Sequence, residues 1–423
     1  MQERERGYMD NEVLYKEVKD RVLCNLSLIK EISDDEVLDY IDKVIEECGD
    51  KHFLTVDNRH QIRNRVFNSI RRLDVIQELI DNPAITEIMV NGANHIFYEE
   101  QGSLRCWDKC FESEERLGDV IQQIVAKANR VVNEANPIVD ARLSDGSRVN
   151  VVLSPVSMDG STLTIRKFGE HNITIEKLVQ CGSITREVAD FLEKLVQAKY
   201  NIFISGGTGT GKTTFLNALS SFIPADERII TIEDSAELKL KHQPNLVRME
   251  ARNDNIEGKH GVSIRDLIKT SLRMRPDRII VGEVRDAAAI DMLTALNTGH
   301  DGSLSTGHAN SPADMLSRLE TMVLLGTEIP LLAVRKQIAS ALDIIIHLGR
   351  LRDKSRRVLE IVEVLEVENQ EIKLQSLYQF KEEGLNMEGR ILGGLMATGN
   401  TLKNKYKLER AGLLYEDAGL YKA

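Results

Sequence analysis

The chain has 423 residues, of which 42% are hydrophobic and 29% charged, enough to bury sizeable cores in about two to three domains. With 5% aromatic residues and 8 prolines against 28 glycines, it is not collagen-like, mucin-like or disordered. Its 55 Lys and Arg stand against 66 Asp and Glu, a net charge of -11, and that balance argues against the basic footprint of a nucleic-acid binder.

No run of 18 apolar residues occurs, so no membrane-spanning helix is expected. The opening MQERERGYMDNEVLYKEVKD lacks the apolar core of a signal peptide. A protein made and kept in the cytosol is therefore expected. Its five cysteines (Cys24, Cys48, Cys106, Cys110, Cys181) are read as ordinary reduced thiols, since no second pair stands at zinc spacing.

In chain order, residues 1–80 read as a helical bundle. Val13, Val18, Val22 and Leu26 recur at helical intervals, as do Val37, Leu38, Ile41, Val44 and Ile45. A third such stretch carries Ile62, Val66, Ile70, Leu73, Ile76 and Leu79. Packing or docking is the expected role of this bundle.

Residues 81–170 change to an α+β texture. Short strand-like runs carry Ile85, Ile88, Val90, Ile96 and Tyr98, with turns at Asn91-Gly92 and Gln101-Gly102. An amphipathic helix follows, with Leu117, Val120, Ile121, Ile124, Val125, Ala128, Val131 and Val132 on one stripe. The strands RVNVVLSPV and STLTIRKF come next, with Asp145-Gly146 and Asp159-Gly160 as turns. Residues 171–184 look like a linker. From 185 to 350, strands and helices alternate as in an α/β domain with a mainly parallel sheet. Residues 351–423 read as a hairpin followed by a Gly-rich basic tail. There Lys403, Lys405 and Lys407 form a solvated loop, with contact to anionic lipid as the lesser reading.

Chemistry is concentrated in the α/β domain. Ile202-Phe203-Ile204 is a buried-strand pattern that runs into GGTGTGKT, and a helix pattern follows. This is G-x-x-x-x-G-K-[ST] in the strand-then-helix context that makes it a phosphate loop. The candidate nucleotide segment is Gly206, Gly207, Thr208, Gly209, Thr210, Gly211, Lys212, Thr213 and Thr214. Glycines let backbone N–H groups turn toward phosphate oxygens, and the helix amino end adds positive partial charge. Lys212 can reach the β and γ phosphates, and the Thr213 hydroxyl can hold Mg²⁺.

Two strands end in acids. The run Arg278 to Gly282 leads to Glu283, placed to polarise a water or hold it through Mg²⁺. The run Ile229 to Ile232 leads to Glu233 and Asp234, with Glu237 one turn on; surface acids and a helix N-cap at Asp234 or Ser235 are the alternative there. The loop TGHDGSLSTGHAN carries His300 and His308. If Ser305-Thr306 ends a strand, His308 is placed near a γ-phosphate.

Together the segments GGTGTGKTT, TIEDSAEL, RPDRIIVGEVRD and TGHDGSLSTGHAN resemble, in order, the Walker A, Asp, Walker B and His boxes of the type II/type IV secretion ATPase superfamily. Upstream, AITEIMVNGANHIFYEEQGSL and DARLSDGSRVNVVLSPVSMDGSTLTIRKF look like that family's N-terminal domain. The N-terminal helices and GRILGGLMATGN look most like the CpaF branch, which serves tight-adherence (Flp/Tad) pili. The resemblance implies a RecA-like P-loop ATPase domain, a smaller α+β domain, an N-terminal helical extension and a ring hexamer. It also implies ATP and Mg²⁺ as ligands, an inner-membrane platform protein as partner, a pilin or secreted substrate moved indirectly, and a cytoplasmic position at the inner membrane face.

By the same resemblance Glu283 is the Walker B glutamate, with Glu233 and Glu237 as Asp-box acids. His308 faces the γ-phosphate, and Arg148 and Arg166 of the N-terminal domain reach the nucleotide. Arg142, Arg273, Arg275 and Arg285 form a second tier. No cysteine follows Cys181, so the tetracysteine zinc motif of some assembly ATPases is absent and no structural zinc is expected. Three other readings compete. A RecA-like nucleic-acid motor is opposed by the acidic charge, and a small-molecule kinase leaves the α+β domain unexplained. A nucleotide-gated docking platform is separated from a motor by whether Glu283→Gln abolishes function while binding persists.

Overall fold

The computed structural model describes residues 2–26, 33–49, 55–100, 102–128, 130–143, 145–167, 173–240, 242–252, 261–387 and 389–413. The chain divides into two units, residues 1–169 and 170–423.

The first unit opens with three helices, α1 (Gln2–Leu26), α2 (Asp34–Gly49) and α3 (Val56–Arg71). Val18 and Val22 of α1 share an apolar cluster with Val37, Ile41, Val44 and Ile45 of α2 and Ile62 and Val66 of α3. Val13 does not join that stripe as expected; it is exposed, and Leu14 and Tyr15 point inward instead. The five residues from Val13 to Val18 turn the helix by about 500°, which leaves Val13 roughly 140° off the buried face.

After the short helix α4 (Gln77–Asp81) come the strands β1 (Ile85–Asn91), β2 (His95–Glu100) and β3 (Ser103–Cys106) and helix α5 (Glu114–Lys127). Three more strands follow, β4 (Ile138–Arg142), β5 (Arg148–Val152) and β6 (Thr162–Arg166). They form one antiparallel sheet in the order β3-β2-β1-β6-β5-β4. Alternate residues Ile88, Val90, Val149, Val151, Leu163 and Ile165 are buried with Leu117, Val120, Ile121, Ile124 and Val125 of α5. Each such side chain contributes about 1.5–3 kcal/mol of burial. The α5 stripe stops with the helix, so Val131 is exposed, although Val132 is still buried. Strand β4 is not among the expected strands. It pairs only with β5, and no residue in it is fully buried, so it carries little alternation.

The second unit begins with α6 (Ile175–Gln180), inside the stretch expected as a linker. Ile175 and Leu178 anchor it in the core. There follow α7 (Arg186–Gln197), β7 (Ile202–Gly206), α8 (Lys212–Leu219), β8 (Ile229–Glu233), β9 (Leu246–Glu250) and α9 (Ile264–Ser271). Next are β10 (Arg278–Val281), α10 (Ala288–Leu296), β11 (Leu304–His308), α11 (Pro312–Gly326) and α12 (Leu331–Ala341). The unit closes with β12 (Ile344–Arg350), β13 (Arg356–Glu368), β14 (Glu371–Leu385), β15 (Ile391–Ala397) and α13 (Tyr406–Arg410).

Nine strands form one sheet in the order β15-β14-β13-β12-β7-β11-β10-β8-β9. The six from β12 to β9 are parallel. Strands β7, β8 and β10 are buried at every position, as a parallel sheet covered on both faces demands of runs such as IFIS, IITI and RIIV. The hairpin and Gly-rich tail expected at 351–423 are built into the same sheet as its antiparallel wing. Lys403 is exposed, as a solvated loop expects, but Lys407 is not a loose lysine. Lys407 Nζ donates to Asp343 Oδ2 at 2.7 Å, Asp301 Oδ1 at 2.9 Å and the Lys199 carbonyl at 3.2 Å. The backbone N–H groups of Lys403 and Asn404 donate to the buried Glu363 carboxylate. The buried Glu363 and the partly buried Asp343 hold this segment in place. Among the described residues no helix is long and apolar enough to cross a membrane, and no cysteine forms a disulfide.

Candidate active site

Strand β7 delivers the chain to Gly206 at its carboxyl end. There the neighbouring β12 runs so close that a Cβ on Gly206 would stand 2.5 Å from the Leu348 carbonyl oxygen. Gly211, with φ +91°, is the N-cap of α8 in the left-handed region, which costs a residue with a Cβ roughly 1–2 kcal/mol. Between them the loop closes on the buried Lys212, whose Nζ donates to the Gly206 and Gly207 carbonyls at 3.1 and 2.9 Å. Thr210 Oγ1 donates to the Gly207 carbonyl at 2.9 Å. From the wing, Arg356 Nε donates to the Gly209 carbonyl at 2.9 Å. Thr213 and Thr214 sit half-buried in the first turn of α8, whose leading N–H groups have no helical acceptor.

His308 ends β11 and pairs in register with Gly206. Its Nδ1 lies 3.2 Å from Lys212 Nζ and its Nε2 lies 3.1 Å from Glu283 Oε1. Lys212 has only protons to offer, so Nδ1 accepts, and the proton of the neutral ring sits on Nε2. Burial and the nearby Lys212 charge push the His308 pKa down from its ordinary 6.5, against the pull of Glu283, so the neutral ring is favoured. Burial pushes the Glu283 carboxyl up. The hydrogen bond and charge of Arg285, helped by His308 and Lys212, carry it below the ordinary 4.5. Arg285 Nη2 donates to Glu283 Oε2 at 2.8 Å, and its Nη1 lies 3.5 Å from Asp234. Glu283 is therefore ionised and held by Arg285 at Oε2, while Oε1 is buried with no hydrogen-bond partner among the described residues.

Glu233 ends β8 beside these groups, at the same end of the sheet. Its Oε1 accepts from the Glu237 and Leu238 N–H groups at 2.8 and 3.0 Å, while Oε2 is buried with no hydrogen-bond partner among the described residues. Burial raises its pKa to about 7, more than the two N–H bonds lower it. No helix starts at Asp234 or Ser235, and Glu237 is half-buried just beyond. The structure thus gathers Lys212, His308, Glu283 and Glu233 at the carboxyl ends of four parallel strands, where open α/β sheets bind ligands.

Three of the other expected residues lie at the amino ends of these strands. His300 precedes β11, at the amino end of that strand, and its Nδ1 meets the Ala295 carbonyl at 3.1 Å. Exposed Arg273 and Arg275 precede β10, also at the amino side. Arg148 and Arg166 belong to the first unit, where they are in-register partners on β5 and β6, and Arg142 is the partner of Arg148 on β4. Two participants were not foreseen from sequence: Arg356 on the loop, and His347, buried under it and 2.9 Å from Ser205 Oγ. The one signal for His347 is a polar residue inside the apolar run DIIIHLG.

A family model, "Type II/IV secretion system protein", matches residues 44–392. The chain belongs to this family. A putative conjugal transfer protein of Mycobacterium tuberculosis is 35% identical over 70% of this chain and 85% of its own length. VirB11, a type IV secretion system protein of Bartonella quintana, is 30% identical over 70% of this chain and 94% of its own length. The ATPase DotB of Yersinia pseudotuberculosis is similar in fold, with a TM-score of 0.51 at 16% identity over 69% of this chain and 78% of that one. The secretion-family match runs from within α2 to the first residues of β15, so it takes in the first unit's sheet as well as the phosphate loop.

Proposed function

We propose that this chain is an ATP-hydrolysing subunit of a homo-hexameric ring motor that drives pilus assembly or protein export, in the manner of the CpaF-like branch. The observation that carries the reading is the chain of contacts from Lys212 through His308 to Glu283 under the phosphate loop. Lys212 meets the β and γ phosphates of ATP. Glu283, ionised and fixed by Arg285, polarises the attacking water. Neutral His308 faces the γ-phosphate and links its presence to Glu283. Glu233 and Glu237 shape the acidic side. Arg148 and Arg166 stabilise transition-state charge when the site closes.

These donors fit a Mg²⁺-nucleotide: one ionised carboxylate, a threonine hydroxyl at a helix amino end and a lysine suit an ion that keeps several waters and shares the phosphates. Thr213 and, through water, Glu283 would hold Mg²⁺, which neutralises phosphate charge.

The names of the conjugal-transfer and VirB11 relatives support the wider role. It places the protein on the cytoplasmic face of the inner membrane, docked on a platform protein and acting indirectly on a pilin or secreted substrate. The segment GRILGGLMATGN favours the CpaF-like branch. Light scattering with Mg²⁺ and a non-hydrolysable ATP analogue, at several protein concentrations, should give a mass near six subunits. A monomer at every concentration removes the ring. Phosphate release should be abolished by Glu283→Gln and be indifferent to DNA; stimulation by DNA would favour a nucleic-acid motor.

A further inference from the structure

His347 has no part in the motifs above, yet it touches two of them. It lies on β12, paired in register with Ser205, the residue before the first loop glycine. It is 7% exposed, and its Nδ1 is 2.9 Å from Ser205 Oγ. The Asn310 backbone, two residues past His308, also lies against the ring and raises its pKa. Between these anchors the two loops touch directly, since the Ala309 N–H donates to the Gly206 carbonyl. That same carbonyl receives Lys212. His347 therefore sits under the seam where the phosphate loop meets the His308 loop.

An apolar residue would satisfy this strand as well as Ile344, Ile345 and Ile346 do, all of them fully buried. A buried imidazole instead needs partners on both nitrogens to offset its lost water. Here Nδ1 has Ser205 beneath one loop, and the Asn310 backbone faces the ring from the other. The pairing of β12 with β13 shifts register between His347 and Leu348, an irregularity of the kind that re-aims side chains beside active sites. Burial favours the neutral ring, which donates from one nitrogen and accepts at the other. Serine and a backbone group match that demand.

We propose that His347 is a positioning residue that locks the phosphate loop to the His308 loop, so that Lys212 and His308 stay in register with each other. This rests on the reading of the site as an ATPase centre. The role is to hold geometry; His347 touches no reacting atom. Small misplacements at such centres cost large factors in rate, on the order of 100-fold for 1 Å.

The test compares His347→Leu, which keeps bulk and loses the Ser205 hydrogen bond and every other polar contact of the ring, with His347→Gln, which can donate and accept. Phosphate release from ATP, titration with fluorescent mant-ADP and thermal melting are followed on the full chain, alone and combined with His308→Ala. The expected result for His347→Leu is a kcat lowered about tenfold or more, with affinity for mant-ADP held within about twofold. His347→Gln should recover most of the rate. His308→Ala should add little to His347→Leu, because both remove one linkage. The proposal is overturned if the two losses multiply independently, or if His347→Leu lowers melting and mant-ADP binding while kcat is unchanged. It also falls if His347→Gln behaves like His347→Leu. A wild-type chain that neither binds nor hydrolyses ATP overturns the ATPase reading itself and takes this role with it.

Discussion

Arg148 and Arg166 stand directly opposite each other on β5 and β6. Arg142 faces Arg148 from β4, and Glu87 faces Arg166 from β1. In-register residues share one face of a sheet, so three arginines form a row that ends in one acid. Like charges placed opposite each other are destabilising by up to about 1 kcal/mol. Such a row suits an anion-binding surface, the role proposed for Arg148 and Arg166. Arg148→Ala or Arg166→Ala should each lower kcat by about 10³-fold, the scale of an arginine supplied to a phosphoryl-transfer site. The melting midpoint should hold or rise, because repulsion is relieved. Calorimetry beside phosphate release decides the matter: a lower midpoint with normal turnover would make the arginines structural.

Glu283→Gln tests the centre of the site. The amide keeps the size of the side chain but loses the charge that His308, Arg285 and Lys212 all favour. Turnover should fall by about 10²–10⁴-fold, the usual worth of a positioned acid–base group. Affinity for a non-hydrolysable ATP analogue should change little, since Lys212 and the loop remain. Single-turnover kinetics with a binding titration separate the two effects. Equal losses in binding and turnover would show that Glu283 holds the nucleotide rather than the water.

His308 gives the site a pH dependence of definite sign. Its pKa lies below 6.5, so at neutral pH the ring is uncharged and accepts from Lys212. As pH falls, protonation removes that acceptor and sets a second cation against Lys212. The kcat profile should therefore lose activity on its acid side, with an apparent pKa under 6.5. His308→Asn should remove that limb along with most of the rate. An unchanged limb in the variant would assign the titration to another group.

Much of this was legible in the sequence because β7, β8 and β10 are short, largely apolar and terminated by chemistry. β7, β8, β10 and β11 each end in a residue that the motifs singled out: Gly206, Glu233, Glu283 just past β10, and His308. Patterns fail where one partner supplies the meaning. Lys407 reads as a solvated lysine until Asp301 and Asp343, far away in sequence, are brought to it. His347 reads as an oddity in a strand until Ser205 lies beside it. β4 escaped because a half-buried edge strand has little alternation to show. Val13 was assigned to the wrong face because an apolar residue five positions from its neighbour still looks periodic to the eye.

The Lys407 network makes a prediction about stability rather than activity. Burial raises the Asp343 pKa even with Lys407 at 2.7 Å, so the carboxylate depends on that cation. Lys407→Met should cost about 3 kcal/mol, the low end for breaking a buried pair, because Lys407 keeps some exposure. A melting midpoint lower by several degrees is expected for a unit of this size. Adding Asp343→Asn should recover part of the loss, since the uncompensated charge is then gone. A double variant no better than Lys407→Met alone would show that packing of α13, and not the charge, is what was lost.

Glu233 sets an opposite slope in pH. Its folded pKa is about 7, against an ordinary 4.5, because burial outweighs the two N–H groups on Oε1. A raised folded pKa means that the native state holds its proton more tightly than the unfolded chain does. The favourable contribution is complete below about pH 4.5 and is lost as pH rises through 7. At roughly 1.4 kcal/mol per pH unit, the ceiling on this loss is about 3.5 kcal/mol. Urea midpoints measured without nucleotide should fall between pH 5 and 8 by more than Glu233→Gln allows. The variant has no proton to lose there, so its curve should be flatter across that window and should meet the wild-type curve most closely at the acid end. Parallel slopes would mean that Glu233 titrates as an ordinary carboxylate, with its buried Oε2 solvated, and would add a full charge to the acidic side of the site at neutral pH.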